Sequence, residues 1–270
     1  MNVLLGVAGV YFALVVLVFL FQRRLQYFPW TGDPEIPAGP RYEAVQDVTL
    51  TAADGVKLKA WYWPGKKPVT LFIFHGNAGH RGHRLEWVDD LRALGPGIFL
   101  LDYRGFGGSG GSPSEEGHYL DADAAELWLN EHTHGDDVYF GESIGCSVAV
   151  DLATRRPPAA MILQSPAISL VDVAKKAYPF LPVSLLMKDR YDSRGKIEII
   201  ACPLLFIHGT ADRIVPIELG RRLYDAATGE KEWYEVERGD HNALPWIGGA
   251  EYLERIRTFL DTRVRGMAKD

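Results

Sequence analysis

Cysteine is nearly absent from this chain. Cys146 and Cys202 are the only two in 270 residues, too few for a disulfide framework, so both thiols are expected to stay free. An excess of basic charge is missing too: 29 Lys and Arg stand against 35 Asp and Glu, a net charge of -6. That balance leaves no electrostatic footprint for nucleic acid, and none is expected as a partner. Internal repeats and low-complexity tracts do not occur. Hydrophobic residues at 47% and charged residues at 24% exclude a disordered chain. The length suits one large α/β domain, and no break in composition marks a second.

A local absence is more informative. No charged residue lies between Val3 and Phe21, and about twenty apolar residues are what a helix needs to cross a bilayer. Arg23 and Arg24 follow, then Tyr27, Phe28 and Trp30, which suit interfacial anchoring. A cleaved signal peptide would carry basic residues before its apolar run and small residues after it. Here the order is reversed and bulky residues fill the cleavage region. The expected organisation is a transmembrane anchor over 1–24, a linker over 25–43 and a main domain over 44–270. Pro and Gly between Pro29 and Pro40 suggest a spacer lifting the domain off the membrane. The arginine pair orients that domain toward the cytoplasm.

Strands and helices alternate beyond the linker. Val45 to Thr51 and Val56 to Trp63 flank Asp54-Gly55, a hairpin signal. Val69 to Phe74 is almost wholly apolar, as expected of a strand buried on both faces. Further strands are expected at Ile98 to Leu101, Asp136 to Phe140, Ala159 to Leu163, Leu204 to Ile207 and Trp233 to Val236. Helical spacing occupies Leu85 to Leu94, Gly117 to His132, Cys146 to Ala153 and Glu251 to Arg263. The alternation implies an α/β fold, a mainly parallel sheet flanked by helices. Residues 168–195, with Pro179 and Pro182 among apolar residues, read as a short cap insertion.

Gly141-Glu142-Ser143-Ile144-Gly145 joins a strand to a helix. A serine in such a turn is lifted clear of the sheet, and the amides of the helix start can hold an oxyanion. Serine alone is a poor nucleophile; an imidazole must take its proton and a carboxylate must fix the imidazole. His241, in a polar turn after the last strand, and Asp212, just past Phe206 to Gly209, complete the order Ser143, Asp212, His241. His75 and His208 also end strands and compete as bases. Asp102, Asp189 and Asp240 compete as the acid. Oxyanion donors are expected at the amide of Ile144 and, from the loop His75-Gly76-Asn77-Ala78-Gly79, at the amide of Asn77.

Two further patterns compete with this reading. Gly105-Phe106-Gly107-Gly108-Ser109-Gly110 fits a dinucleotide fingerprint, but Gly111-Ser112-Pro113 follows where a helix should open. His80 and His83, and His132 and His134, lack a Cys or carboxylate set at ligand spacing, so no metal or organic cofactor is expected.

In sum these motifs resemble the Bem46-like α/β-hydrolases, related to serine aminopeptidase-type hydrolases and to the α/β-hydrolase-domain protein depalmitoylases. The resemblance rests on the loop at His75 to Gly79, Asp102-Tyr103-Arg104-Gly105-Phe106-Gly107, the Ser143 elbow, Gly209-Thr210-Ala211-Asp212 and Gly239-Asp240-His241-Asn242. It implies an α/β-hydrolase fold with a short cap and an acyl-enzyme mechanism. The expected substrate is a small-molecule or lipid-like acyl compound, a carboxylic ester or thioester, met beside the bilayer. Tyr178, Phe180, Leu181, Leu185, Leu186 and Met187 of the cap would cover its acyl chain. A serine aminopeptidase-type peptidase and a non-catalytic membrane-tethered interaction protein are the alternatives. No signal for an oligomeric state is present.

Overall fold

Runs buried on both faces become the centre of a sheet. A computed structural model describes residues 2–267. Helix α1 (Asn2–Gln26) opens the chain and runs into the short strand β1 (Phe28–Pro29). The hairpin of β2 (Gln46–Thr51) and β3 (Lys57–Trp63) turns at Gly55, whose φ of 86° favours glycine. Next come β4 (Val69–Phe74), β5 (Ala78–Gly79), α2 (Leu85–Arg92), β6 (Gly97–Asp102) and α3 (Glu115–His132). The elbow lies between β7 (Asp136–Glu142) and α4 (Ile144–Ala153), followed by β8 (Ala160–Gln164). The insertion carries α5 (Leu170–Ala177) and α6 (Val183–Leu186), then α7 (Arg194–Ile197) leads back. Finally β9 (Leu204–Gly209), α8 (Ile217–Ala226), β10 (Lys231–Val236) and α9 (Leu244–Arg263) complete the order.

Eight strands form one sheet in the order β10-β9-β8-β7-β4-β6-β3-β2. The six from β10 to β6 run parallel, and β3 and β2 pair antiparallel at one edge. This is the α/β-hydrolase architecture. Strand β4 shows why it packs: Phe72 and Phe74 enter one core while Leu71 and Ile73 enter the core on the other face. Burying each such ring contributes about 2–3 kcal/mol. Because the central strands are parallel, their carboxyl ends share one edge, and every candidate catalytic loop leaves from there.

Helices α3 and α9 start earlier than expected for local reasons. Helix α3 begins at Glu115 because the hydroxyl of Ser114 accepts the N–H of Gly117 and two glutamates occupy the first turn. Helix α9 begins at Leu244, with Pro245 in its first turn; Gly249, at φ 52°, kinks it and hides that segment from periodicity.

Residues 25–43, expected to be a spacer, are instead docked on the domain. Strand β1 pairs with β5, and Trp30 N–H donates to Gly79 O at 3.0 Å. The Tyr27 ring is buried, its hydroxyl 2.8 Å from that of Tyr191. Gly107 and Gly108 donate their N–H groups to the carbonyls of Trp30 and Thr31. The glycine run that fits a nucleotide fingerprint is therefore a packing surface for this segment.

Strand β7 carries a carboxylate in an unfavourable place. Burial, with Glu126 and Asp136 nearby, pushes the Asp137 carboxyl up to about 6. The folded value lies above the unfolded one, near 4, so the charge costs stability at neutral pH and the cost fades as pH falls through about 6. Asp137→Asn is expected to stabilise the fold by about 1–2 kcal/mol at pH 7 after allowance for partial solvent exposure, and by less at pH 5. Melting temperatures at the two pH values test this; a lower melting point for the variant at pH 7 would contradict it.

Candidate active site

The turn at Ser143 follows from close packing around it. Ser143 itself takes the positive φ, 55° with ψ -118°, a conformation that costs energy for any residue with a Cβ. The flanking glycines do not supply that torsion; they supply room. A Cβ on Gly141 would lie 2.5 Å from Cys146 Cα, and one on Gly145 would lie 2.0 Å from Phe74 O. Only glycine lets α4 start against the end of β4. Ser143 N–H donates to Gln164 O at 2.9 Å, tying the turn to β8.

Backbone contact also brings the other two loops together. A Cβ on Gly209 would meet Gly239 O at 2.2 Å, Ala211 N–H donates to Gly239 O, and Arg238 N–H donates to Thr210 Oγ1. This places His241 Nδ1 2.7 Å from Asp212 Oδ2 and His241 Nε2 2.9 Å from Ser143 Oγ. An ionised Asp212 can only accept, so Nδ1 carries the ring proton and Nε2 is left to accept from the serine hydroxyl. The arrangement can pass the Ser143 proton to His241 and hold the resulting imidazolium beside a carboxylate.

Asp212 is prepared for that partnership. Its Oδ1 accepts the N–H groups of Ile214 and Val215 at 2.9 and 2.8 Å, and His208 Nε2 lies 3.5 Å from Oδ2. Burial pushes its pKa upward, but His208, His241 and the Val215 amide outweigh it, holding the carboxyl well below the ordinary range. The contributions of His208 and the two amides were not foreseen from sequence. The only hint was the spacing of His208 four residues before Asp212.

The competing side chains have other partners. His75 is fully buried, its Nδ1 2.7 Å from Gly76 O and its Nε2 3.4 Å from Asp102 Oδ1. His208 Nε2 donates to Val215 O at 2.9 Å. Asp102 is held by Arg81, whose backbone N–H donates to Oδ1 at 2.7 Å and whose guanidinium meets Oδ2. Burial opposes its charge, yet His75 and Arg81 keep its pKa lowered. Asp189 pairs with Arg23 at 2.8 Å, and Asp240 caps the amides of Asn242 and Ala243. His80 caps a short turn and stacks on His83 at 4.0 Å between ring centres.

Of the expected oxyanion donors, Ile144 is the first residue of α4, where an N–H has no partner within its helix. Asn77 follows β4, the strand paired with β7, so its loop stands beside the elbow. Asn77 is fixed from the amino-terminal side: its Nδ2 donates to Gln26 O at 2.7 Å and its carbonyl accepts Phe28 N–H at 2.9 Å. Glu142, just before the serine, accepts Gly76 N–H at 3.3 Å and Arg84 Nε at 3.2 Å.

None of the six cap residues lines the cavity beside the elbow. Tyr178, Phe180 and Leu185 are 52%, 60% and 87% exposed, while Leu181, Leu186 and Met187 are half-buried. A cavity of about 310 Å³ beside the elbow is lined instead by Trp30, Trp87, Glu142, Gln164, Asn242 and Trp246, among others. Apolar composition alone does not tell which way the cap faces.

Comparison with known proteins places this geometry. The family model described as serine aminopeptidase, S33, matches residues 65–188. An uncharacterized protein of Mycobacterium tuberculosis is 41% identical over 96% of this chain and 95% of its own length. The lysophosphatidylserine lipase ABHD12 of Danio rerio is 31% identical, covering 85% of this chain and 73% of that protein. An esterase structure from Pyrococcus furiosus superposes with a TM-score of 0.74 over 87% of this chain and 99% of that one; at 21% identity it speaks for the fold alone.

Proposed function

This chain belongs to the α/β-hydrolase superfamily, related to the S33 hydrolases, and is a serine hydrolase; on that premise we propose a membrane-anchored enzyme that cleaves lipid-like carboxylic esters or thioesters. The observation that carries the proposal is the hydrogen-bonded line Asp212–His241–Ser143 at the carboxyl edge of the sheet. His241 Nε2 takes the hydroxyl proton as Ser143 Oγ attacks the acyl carbonyl. The amides of Ile144 and Asn77 receive the oxyanion. His241 then protonates the departing alcohol or thiol, leaving an acyl-enzyme. A water molecule, deprotonated by His241, attacks that ester, and collapse returns the proton to Ser143 and releases the acid.

Substrate class rests on two supports. One relative is a lysophosphatidylserine lipase, an acyl-ester hydrolase by name. A peptidase of the aminopeptidase type would need a free carboxylate for the substrate amine, and two candidates for that role are engaged: Asp102 with Arg81 and Glu142 with Arg84. Anchoring rests on α1, apolar from Val3 and long enough to span a bilayer. Arg23 and Arg24 at its end favour a cytoplasmic main domain. The test sets p-nitrophenyl esters of graded acyl length and an acyl thioester beside aminoacyl anilides. Ester or thioester turnover at least about 100-fold above anilide turnover is expected, since a difference of about 3 kcal/mol in barrier corresponds to that ratio. A preference for anilides would reverse the assignment.

A further inference from the structure

Only two side chains between Val3 and Gln22 can form a hydrogen bond, Tyr11 and Gln22. Both reach the cap. The Tyr11 hydroxyl donates to Phe180 O at 2.7 Å. Gln22 Nε2 donates to Leu186 O at 3.1 Å and to Phe19 O, while its Oε1 accepts Lys188 N–H at 2.7 Å. Just below, Arg23 grips Asp189 through two hydrogen bonds of 2.8 and 3.0 Å, and Lys188 Nζ sits over the Phe19 ring at 4.6 Å. The cap thus follows α1 from its middle to its basic end. Polar groups in hydrocarbon must find partners within the protein, and here the cap provides them.

The position of Tyr11 sets a depth. At 1.5 Å per residue it stands about 15 Å beyond Phe21 along the helix. A hydrocarbon core is about 30 Å thick. If Arg23 and Arg24 mark the headgroup level, Phe180 lies near the bilayer midplane and Leu186 near its boundary. The cap has the chemistry for such a place. Tyr178, Phe180 and Leu185 are the exposed large hydrophobic residues of the cap, with the Tyr178 and Phe180 rings edge to face. Pro179 and Pro182 bring no N–H donor, and the amides of Tyr178, Leu181, Val183, Leu185, Leu186 and Met187 are satisfied within the cap. Lys175, Lys176, Lys188 and Arg190 flank this apolar tip in the sequence, and Arg23 and Arg24 end the helix it contacts. Of the acids of the segment, Asp172 and Asp189 are already paired with Arg222 and Arg23, and Asp192 accepts the Arg194 N–H. An apolar tip within a basic collar complements an anionic leaflet.

We propose that the tip of the cap, Tyr178 to Met187, is sunk into one leaflet alongside α1, with the lipid bilayer as the partner of its outward face. The inference rests on the anchoring proposed above and makes the cap a second membrane contact. It gives the outward-facing residues a partner that the site itself does not provide. It also sets the serine hydrolase against the leaflet that would hold a lipid-like substrate.

The test uses the full chain reconstituted in vesicles of phosphatidylcholine and phosphatidylserine. An environment-sensitive dye is attached through Leu185→Cys in a Cys202→Ser background; Cys146 is buried and does not compete. Parallel chains carry the dye at Leu14→Cys in α1, or at His134→Cys, exposed at the opposite edge of the sheet. Quenching of the 185 dye by a nitroxide on the lipid chain is expected to exceed quenching by a water-soluble agent several-fold, as for the dye at 14 and unlike the dye at 134. A dye at 185 open to the aqueous agent while the dye at 14 stays shielded overturns the cap proposal and leaves the anchor standing. Exposure of both removes the anchor and this inference with it. Shielding of 185 from both agents would mean a protein partner or a second copy covers the tip, which also overturns it. Ester turnover by the unlabelled protein reports on the hydrolase assignment separately.

Discussion

Ser143→Ala is expected to lower ester turnover by about 10⁴- to 10⁶-fold, the range seen when a catalytic nucleophile is removed from an intact relay, and to abolish labelling by a fluorophosphonate. The thiol in the helix that follows is no substitute nucleophile. Cys146, one turn into α4, is fully buried, its Sγ lies 3.2 Å from both Gly141 O and Gln164 O, and burial pushes its thiol far above the range where a thiolate forms. The fold should tolerate the change. Alanine keeps the Cβ and so the same torsional cost at φ 55°, and the backbone bond from residue 143 to Gln164 O is unaffected. Comparable melting temperatures with lost turnover are therefore expected. Labelling of the variant at the rate of the parent protein would remove Ser143 from its assigned role.

What could be read from the sequence, and what could not, divides along the range of the interactions. The strand at Val69 to Phe74 was legible because burial on both faces demands an unbroken apolar run, and β4 occupies those residues. The elbow was legible because its steric demands are local: Gly141 and Gly145 sit within two residues of the serine they accommodate. The order Ser143, Asp212, His241 was legible because each lies just past a parallel strand, and parallel strands share one functional edge. Residues 25–43 were misread as a spacer for the opposite reason. Their contacts are long-range, backbone pairings with loops about fifty and seventy-five residues away and side-chain contacts such as Tyr27 to Tyr191, Asp33 to Arg81 and Tyr42 to Asp89, and these leave no periodic signature in the segment. The orientation of the cap residues was not legible, because apolar composition is the same for a surface that lines a cavity and for one left exposed. Asp212's supporting donors were invisible because two of them, Ile214 and Val215, contribute only backbone N–H groups.

Those donors decide the last prediction. Asp212→Asn should leave the loop intact, since an amide oxygen can still accept from Ile214 and Val215 at the Oδ1 position. The group that then faces His241 is the amide nitrogen, a donor. It cannot receive the Nδ1 proton, so the imidazole is driven to the tautomer with its proton on Nε2. Nε2 then points a donor at Ser143 Oγ, 2.9 Å away, where the reaction needs an acceptor. The carboxylate that would balance the imidazolium is gone as well. A loss of about 10⁴ in turnover follows, equivalent to about 5 kcal/mol of transition-state stabilisation, with little change in KM. In the parent protein the sign of the pKa shift fixes the pH dependence. Asp212 is depressed in the folded state, so it contributes stability above the ordinary carboxylate range and loses it only as pH falls through the lowered folded value. The acid limb of the pH–rate profile therefore belongs to another group, and Asp212 stays ionised throughout the working range. Turnover by Asp212→Asn above a tenth of the parent value, at unchanged melting temperature, would show that the carboxylate does not act through His241.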